Sequence, residues 1–173
     1  RNVDQRVQEV LNSSKDDEML CMLVTLGLQH EQQHQELILT DVKHLFSQNP
    51  LNPCYKPFNL NPREITLPLE WRHFEEGIVE IGFQGPGFSY DNESPRHKVY
   101  LPQYELASRL ITNGEYLAFM KADGYKNPSL WLTEGWKWIE ENKRHCPLYW
   151  RDNTKGWEEY TLGGVWPLDL NLP

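Results

Sequence analysis

The sequence contains few cysteines, no long apolar run and no excess of positive charge. Its three cysteines, Cys21, Cys54 and Cys146, are odd in number and widely spaced, which favours free thiols in a reducing compartment over a disulfide framework. No stretch approaches the ~20 apolar residues of a membrane span, and no signal-peptide pattern opens the chain. With 17 basic against 25 acidic side chains and a net charge of −8, nucleic acid is not an expected partner. We therefore expect a cytoplasmic protein that binds neither membranes nor nucleic acid.

Tryptophan and tyrosine are missing from the first 53 residues of the chain. All seven Trp and all eight Tyr lie after Pro53, whereas the first third is rich in Leu and Gln. This shift predicts two architectures. We assign residues 1–48 to a helical bundle, 49–70 to a proline-rich linker or a strap across a neighbouring surface, and 71–173 to a second domain. Because the chain begins at Arg1 without Met and ends at Pro173 without a tail signal, we interpret it as a piece of a longer protein.

The first third shows the periodicity of α-helices. Its apolar spacing predicts the end of one helix over residues 1–12 and a second helix over about 16–47, with Ser14 or Asp16 as the cap. One face of the second helix carries residues three or four apart. These residues are Met19, Leu23, Leu26, His30, His34, Leu37, Asp41 and Leu45. Cys21 is interpreted as a small core residue. Because two antiparallel helices cannot bury their apolar stripes alone, the other half of a four-helix bundle is expected upstream.

His30 and His34 form the one pattern in the chain that points directly to chemistry. Residues at i and i+4 of a helix lie ~5–6 Å apart at Cβ, so two imidazoles can direct their nitrogens at one metal ion. The segment also matches the zinc-protease pattern His-Glu-x-x-His, in which Glu31 would be the general base. A third interpretation is a pair of hydrogen-bonded histidines at a domain boundary. Four amides surround the pair, which favours a helix that lines a polar cavity. They belong to Gln29, Gln32, Gln33 and Gln35.

The pair alone is an incomplete metal site. An iron or zinc centre needs at least a third protein ligand. His44 lies fourteen residues from His30, ~21 Å along the helix axis, and so cannot share the ion. Glu36 lies ~200° around the helix from His34, which makes it a poor ligand. It suits better the orientation of a histidine on a neighbouring helix, or a plain surface position.

The remaining sequence predicts short strands, turns and short helices. A strand is expected over 77–82, followed by a glycine turn and an acidic loop in which His97 forms a hydrogen bond. Thr112 or Asn113 should cap a helix over 114–122. A Thr-capped aromatic helix is expected over 130–138, and a hairpin over 156–164. The numerous Trp of this region are interpreted as core residues rather than as a cage for a cationic ligand.

Two motifs carry a resemblance to a known family. The segment from Gly27 to His44, with sequence GLQHEQQHQELILTDVKH, resembles the iron-binding helix of the ergothioneine-type iron(II)-dependent sulfoxide synthases. The region from Gly77 through Thr112-Asn-Gly-Glu-Tyr116 resembles the opening of formylglycine-generating-enzyme-like domains. The resemblance implies an α+β fold: part of a DinB-like four-helix bundle, then the N-terminal part of a C-type-lectin-like α+β domain.

The resemblance also implies a function. His30 and His34 would bind Fe(II) together with a third His from upstream, Gln33 would contact the histidine substrate, and Glu36 would act from outside the ligand set. The enzyme would join trimethylated histidine (hercynine) to cysteine or γ-glutamylcysteine with O2, giving a sulfoxide in ergothioneine biosynthesis. An ovothiol-type synthase acting on free histidine and a selenoneine-type synthase remain alternatives within this class. A zinc hydrolase and a non-catalytic scaffold are alternatives of other classes. No catalytic residue can be assigned, and the oligomeric state is left open.

Overall fold

The computed structural model describes residues 2–14, 17–58 and 67–173. They fall into two compact units, one from 1–39 and 75–104 and the other from 40–74 and 105–173. Helices precede a region of short strands and short helices, which confirms the predicted α+β class. The domain limits proposed from composition, at residues 48 and 70, stay a prediction. Among the described residues, no helix has the length and apolar character needed to cross a membrane.

Two helices open the chain, as predicted. Helix α1 covers Asn2–Ser13 and α2 covers Glu18–Ser47. The carboxylate of Asp17 accepts a hydrogen bond from the amide of Leu20 (3.0 Å) and so satisfies one of the free N–H groups at the start of α2. Of the two predicted caps, Ser14 is not the capping residue, since Asp17 takes that place, and Asp16 lies outside the described residues.

The apolar stripe of α2 is exposed, as expected for two helices that cannot bury their stripes alone, whereas the prediction of a core position for Cys21 is wrong. Leu23 and Leu37 keep 53% and 56% of their surface, and Cys21 is also exposed. The cause is the small size of the partner: α1 has 12 residues against 30 in α2, about 18 Å of helix against 45 Å. Helices α1 and α2 together line an apolar groove, whose wall includes Val10 of α1 and Leu20 and Val24 of α2.

The first unit also contains an antiparallel hairpin. Its strands are β2 (Gly77–Ile81) and β3 (His97–Leu101). Strand β1 (Trp71–Phe74) and most of β4 (Tyr104–Ala107) belong to the second unit. β2 pairs with β3 in the register Gly77↔Leu101 to Ile81↔His97, and β1 pairs with β4. The strand predicted over 77–82 is therefore confirmed. Nδ1 of His97 lies 3.0 Å from the carbonyl oxygen of Pro95, the loop contact expected for this residue.

The second unit carries two helices and a three-stranded sheet. Helix α3 covers Asn113–Lys121 and α4 covers Thr133–Asn142. Strands β5 (Trp150–Asn153), β6 (Gly156–Thr161) and β7 (Gly164–Pro167) form an antiparallel sheet in that order. The predicted hairpin over 156–164 is confirmed as β6 and its turn into β7.

The aromatic helix predicted over 130–138 is confirmed as α4, but its predicted start and its Thr cap are wrong. Residues Pro128–Leu130 form a separate 3₁₀ turn, in which the side chain of Asn127 accepts from the amide of Ser129 (3.1 Å). Because Asn127 and Pro128 together favour this local turn, the α-helix starts only at Thr133, and the Thr side chain makes no capping bond.

The first four residues of the Thr-Asn-Gly-Glu-Tyr segment each contribute to the start of α3. Thr112 caps the helix: its Oγ1 accepts from the amide of Glu115 (3.3 Å), and the Glu115 carboxylate accepts from the amide of Thr112 (2.9 Å). This reciprocal pair is a capping box. The guanidinium of Arg109 donates two hydrogen bonds of 2.8 Å to the same carboxylate. Mainly because of these hydrogen bonds, the pKa of Glu115 falls to about 2.

The end of the chain covers the same helix start. The amide of Asn113 donates to the carbonyl of Leu172 (2.7 Å), and the amide of Gly114 donates to that of Leu170 (3.0 Å). The Asn113 side chain donates to the carbonyl of Asp169 (2.9 Å). A Cβ on Gly114 would lie 3.0 Å from the Leu170 oxygen, so glycine allows this approach. Unpaired N–H groups at the helix start are thus satisfied by a distant segment.

The described part of the proline-rich segment is a strap on the β5–β7 sheet. The amides of Tyr55 and Lys56 donate to the carbonyl of Leu162 (2.9 and 3.3 Å), and the hydroxyl of Tyr160 donates to the carbonyl of Pro53. Residues 49–58 therefore form a strap across a neighbouring surface, as the second interpretation of this segment predicted, and not a free linker. Pro62 lies outside the described residues.

The core of the second unit is small and aromatic. Leu117, Ile139, Trp150 and Tyr160 are buried. The prediction that the Trp residues form the core is confirmed for Trp150. Others in the unit are half-buried, and Trp138 keeps 52% of its surface.

Candidate metal centre

The sequence-predicted histidine pair lies in the middle of α2. The centroids of the His30 and His34 rings are 4.5 Å apart, and the ring planes meet at 75°, an edge-to-face arrangement. Both side chains are exposed. Uninterrupted helix from Glu18 to Ser47 sets this geometry, because residues four apart share one helix face. The structure therefore brings together the two residues that the spacing had singled out.

The donor chemistry of the pair fits a first-row transition metal. Imidazole suits iron and zinc alike, and it binds through a ring nitrogen that carries no proton. In the part of the chain that the structure describes, neither ring has a hydrogen bond, so both nitrogens of each ring are available. No group of three or more His, Cys, Asp or Glu side chains that could hold a metal occurs among these residues. The described residues thus supply two donors.

The neighbouring candidates lie on the same helix and are exposed. Gln33 is three residues after His30, so its amide lies near the face that carries the pair. Glu36 lies on a different face from His34, as the helical repeat requires. Glu31, which would be the base of a hydrolase, is exposed as well. Each of these roles stays a prediction.

The structure assigns His44 a different environment from the pair. Its Nδ1 lies 3.4 Å from the hydroxyl of Tyr149, and the ammonium of Lys43 lies 4.3 Å from the centroid of the Tyr149 ring. Arg151 donates to the carbonyl of Ser47 (2.9 Å) and to the side chain of Asn52 (2.6 Å). These contacts attach the last turn of α2 to the edge of the β5–β7 sheet.

Sequence reasoning missed this attachment. The only local signal was the presence of Lys43 and His44 in the last turns of α2, where positive charge interacts favourably with the helix dipole. Their shared partner, Tyr149, lies 105 residues after His44. No pattern within either segment indicates such a pairing.

Two further groups of the second unit have perturbed acidity. Burial raises the pKa of the Glu159 carboxyl, and Lys43 opposes that shift. Burial also raises the pKa of the Cys146 thiol, so the neutral form dominates near neutral pH. The Cys146 sulfur lies 3.6 Å from the carbonyl oxygen of Trp150, as expected of a thiol that packs inside the unit.

The chain matches a known domain family and several named proteins. The profile of the sulfatase-modifying factor enzyme 1-like domain matches residues 70–162, more than half of the chain. The hercynine oxygenase of Mycobacterium tuberculosis is 33% identical over 124 residues, which are 72% of this chain and 29% of that protein. The hercynine oxygenase of Mycolicibacterium smegmatis is 34% identical over 68 residues, 39% of this chain and 16% of that protein.

The similarity to the first of these relatives extends beyond the matched domain, into the segment before residue 70. Residues 70–173 number only 104, so at least 20 of the 124 aligned residues precede residue 70. A third relative, the hercynine oxygenase of Mycolicibacterium thermoresistibile, is 32% identical over 79 residues, 45% of this chain and 18% of its own length. The chain spans less than a third of the length of each of these relatives. It belongs to the family that carries the sulfatase-modifying factor enzyme 1-like domain, as a relative of the hercynine oxygenases.

Proposed function

We propose that the protein is an iron(II)- and O2-dependent synthase that forms a C–S bond between trimethylated histidine and a cysteine-containing thiol. The product is a sulfoxide in ergothioneine biosynthesis. The observation that carries this proposal is the exposed pair of imidazoles 4.5 Å apart on one helix face, in a chain whose relatives are named hercynine oxygenases. The free thiols of the three cysteines agree with a reducing, cytoplasmic setting.

The proposed reaction balances with one molecule of O2. One S–H bond and one ring C–H bond are lost and a C–S bond forms, which removes two electrons. Addition of one oxygen atom to sulfur removes two more. O2 accepts all four electrons, since one of its atoms enters the sulfoxide and the other leaves as water.

The roles of the residues follow from their chemistry. His30 and His34 would hold the ion as neutral imidazoles, with a third histidine expected outside the described residues. Iron(II) held with open positions would supply the one-electron chemistry that O2 requires. The amide of Gln33 can both donate and accept hydrogen bonds, which suits the binding and orientation of a histidine substrate. Glu36 is assigned to the orientation of a histidine on an adjacent helix.

The test is metal content and O2 uptake of the full chain after anaerobic reconstitution with Fe(II). Uptake should require iron, a thiol and trimethylhistidine together. His30→Ala and His34→Ala should each lose iron and uptake, while His44→Ala, on the same helix but outside the pair, should keep iron. Tight binding of zinc without thiol-dependent O2 uptake would refute the proposal.

A second variant separates the proposal from the hydrolase alternative. Glu31→Gln removes the carboxylate that a His-Glu-x-x-His hydrolase needs as its base. In a synthase this change should leave iron content and thiol-dependent O2 uptake close to those of the unchanged protein. Loss of all activity with full metal content in this variant would favour the hydrolase.

A further inference from the structure

The second unit contains a cavity that the proposed reaction does not use. It has a volume of about 250 Å³ and lies between the end of α3, the turn that follows it and the segment after α4. Leu117, Met120 and Trp157 contribute apolar surface to its wall. Leu117 is buried, and the other two are half-buried. The cavity is therefore sheltered enough to hold a small molecule against apolar side chains.

The polar part of the wall is positively charged, although the protein carries a net charge of −8. Lys121, Lys126 and Arg144 line the cavity together with one carboxylate, that of Asp123. Asp123 is neutralised locally, because its oxygen lies 2.8 Å from Nζ of Lys126. Among the described residues, neither Lys121 nor Arg144 has a carboxylate partner. The remaining charge of the wall is positive.

Arg144 supplies a second, independent observation. Its Nε is buried and has no hydrogen-bond acceptor among the described residues. The guanidinium also lies over the ring of Trp138, 5.3 Å from the centroid, which holds it in place. A buried donor without an acceptor is rare in folded proteins, since the lost hydration is not replaced. Arg144 therefore brings to the wall of the cavity a positive charge that is not neutralised by an acceptor among the described residues.

The hydroxyl in the wall adds no negative charge. Burial and the neighbouring hydroxyl of Tyr116, 2.9 Å away, raise the pKa of Tyr125. Tyr125 is therefore neutral at physiological pH and can take part in hydrogen bonds. An anion in the cavity meets no repulsion from it.

We propose that this cavity binds a small carboxylate with an apolar body. The carboxylate would lie against Arg144 and Lys121, and the apolar part would lie on Met120 and Trp157. The size of the cavity limits the ligand to one small molecule. A purely inorganic anion would leave the apolar wall without contacts.

The experiment uses hexanoate, acetate and inorganic phosphate as probes of the full chain with ¹³C-labelled methionine methyl groups. Met120 lies in the cavity wall, whereas Met19 and Met22 lie on α2 and serve as internal controls. Hexanoate should shift the Met120 signal saturably and leave the other two unchanged. Acetate carries the same charge but lacks most of the apolar chain, so it should bind about tenfold more weakly or worse.

Three variants test the charge. Lys121→Met and Arg144→Met should each weaken hexanoate binding by about tenfold. Lys121 is exposed, so its substitution leaves the fold intact even if Arg144→Met disturbs the contact with Trp138. Lys98→Met, which removes a lysine from β3, should bind hexanoate unchanged. Absence of a saturable Met120 shift at millimolar hexanoate, unaltered binding in Lys121→Met, or phosphate binding as tight as hexanoate would each overturn the proposal.

Discussion

Tyr160 offers the sharpest test of how the strap is held to the sheet. Its side chain is fully buried, and its hydroxyl donates to the carbonyl of Pro53, 107 residues earlier. Tyr160→Phe removes this donor and keeps the ring, so packing in the core changes little. The Pro53 carbonyl then loses its partner, while the two bonds from Tyr55 and Lys56 to Leu162 remain. A lost hydrogen bond of this kind costs about 1–2 kcal/mol when the acceptor stays shielded from water.

The assay is urea unfolding followed by Trp fluorescence, with amide hydrogen exchange as a local probe. The free energy of unfolding should fall by about 1–2 kcal/mol in Tyr160→Phe. The amide of Tyr55, which belongs to the strap, should exchange faster, because opening of the strap becomes easier. Tyr55→Phe is the matched control: the Tyr55 side chain is 55% exposed, and its change should stay within about 0.5 kcal/mol.

The reasoning fails if Tyr160→Phe unfolds at the same urea concentration as the unchanged protein with the same dependence on urea. In that case the Pro53 carbonyl exchanges the hydroxyl for water at no cost, and the strap is held by its backbone bonds alone. It fails as well if Tyr55→Phe destabilises the protein equally, since the effect would then not depend on burial.

Three further predictions concern other contacts. Hydrogen bonds from Arg109 lower the pKa of Glu115 to about 2. The carboxylate therefore stabilises the folded protein fully above its unfolded pKa of 4.5, and this stabilisation disappears as the pH falls towards 2. Glu115→Gln should reduce this acid-dependent loss of stability, which urea unfolding midpoints measured over a series of pH values would show. Gly82 has φ +112°, and a Cβ there would lie 2.9 Å from a backbone carbon, so Gly82→Ala should cost about 1–3 kcal/mol in a urea titration, whereas Gly77→Ala, with no atom within 4 Å, should cost less. Arg151→Met removes the charged hydrogen bond to the last turn of α2 and should lower the free energy of unfolding by about 1–3 kcal/mol; an unchanged unfolding midpoint would show that water replaces it.

Periodicity predicted the existence and extent of α2 well, because hydrogen bonds within a helix depend on local sequence alone. The predicted end near residue 47 and the observed end at Ser47 agree. The burial of single residues could not be predicted, because it depends on which neighbours cover the helix. For the same reason Cys21 was assigned to a core and is exposed.

Local competition explains the error at α4. Thr133 is of a residue type that often caps helices, but Asn127 and Pro128 form a separate turn just upstream. The helix therefore begins at Thr133 and not near Leu130, and Thr133 lies inside its first turn. At α3 the local signal was correct, since Thr112 and Glu115 lie within one turn of each other. The contact of Asn113 with Asp169 spans 56 residues. Only the fold brings these two together, so no spacing in the sequence indicates it.

The candidate site likewise has some features that local sequence determines and others that depend on the surrounding structure. Spacing alone placed His30 and His34 on one face, and the structure confirms that placement with rings 4.5 Å apart. Spacing also separated Glu36 and His44 from the pair. The function of Gln33 depends on a substrate and on neighbouring helices, so neither the helix nor its sequence determines it.

The position of the pair within α2 has an energetic consequence for the proposed metal site. Contacts from Lys43, His44 and Ser47 hold the end of the helix to the sheet. His34 lies nine residues before Lys43, in a stretch where every side chain from residue 30 to residue 41 is exposed. Helix propensity alone sustains such a stretch weakly, because most helical stability in proteins comes from packing. An ion that joins His30 to His34 links two successive turns and stabilises only the helical form. At the proposed site, metal binding would therefore be coupled to helix stability, and loss of either imidazole should weaken both.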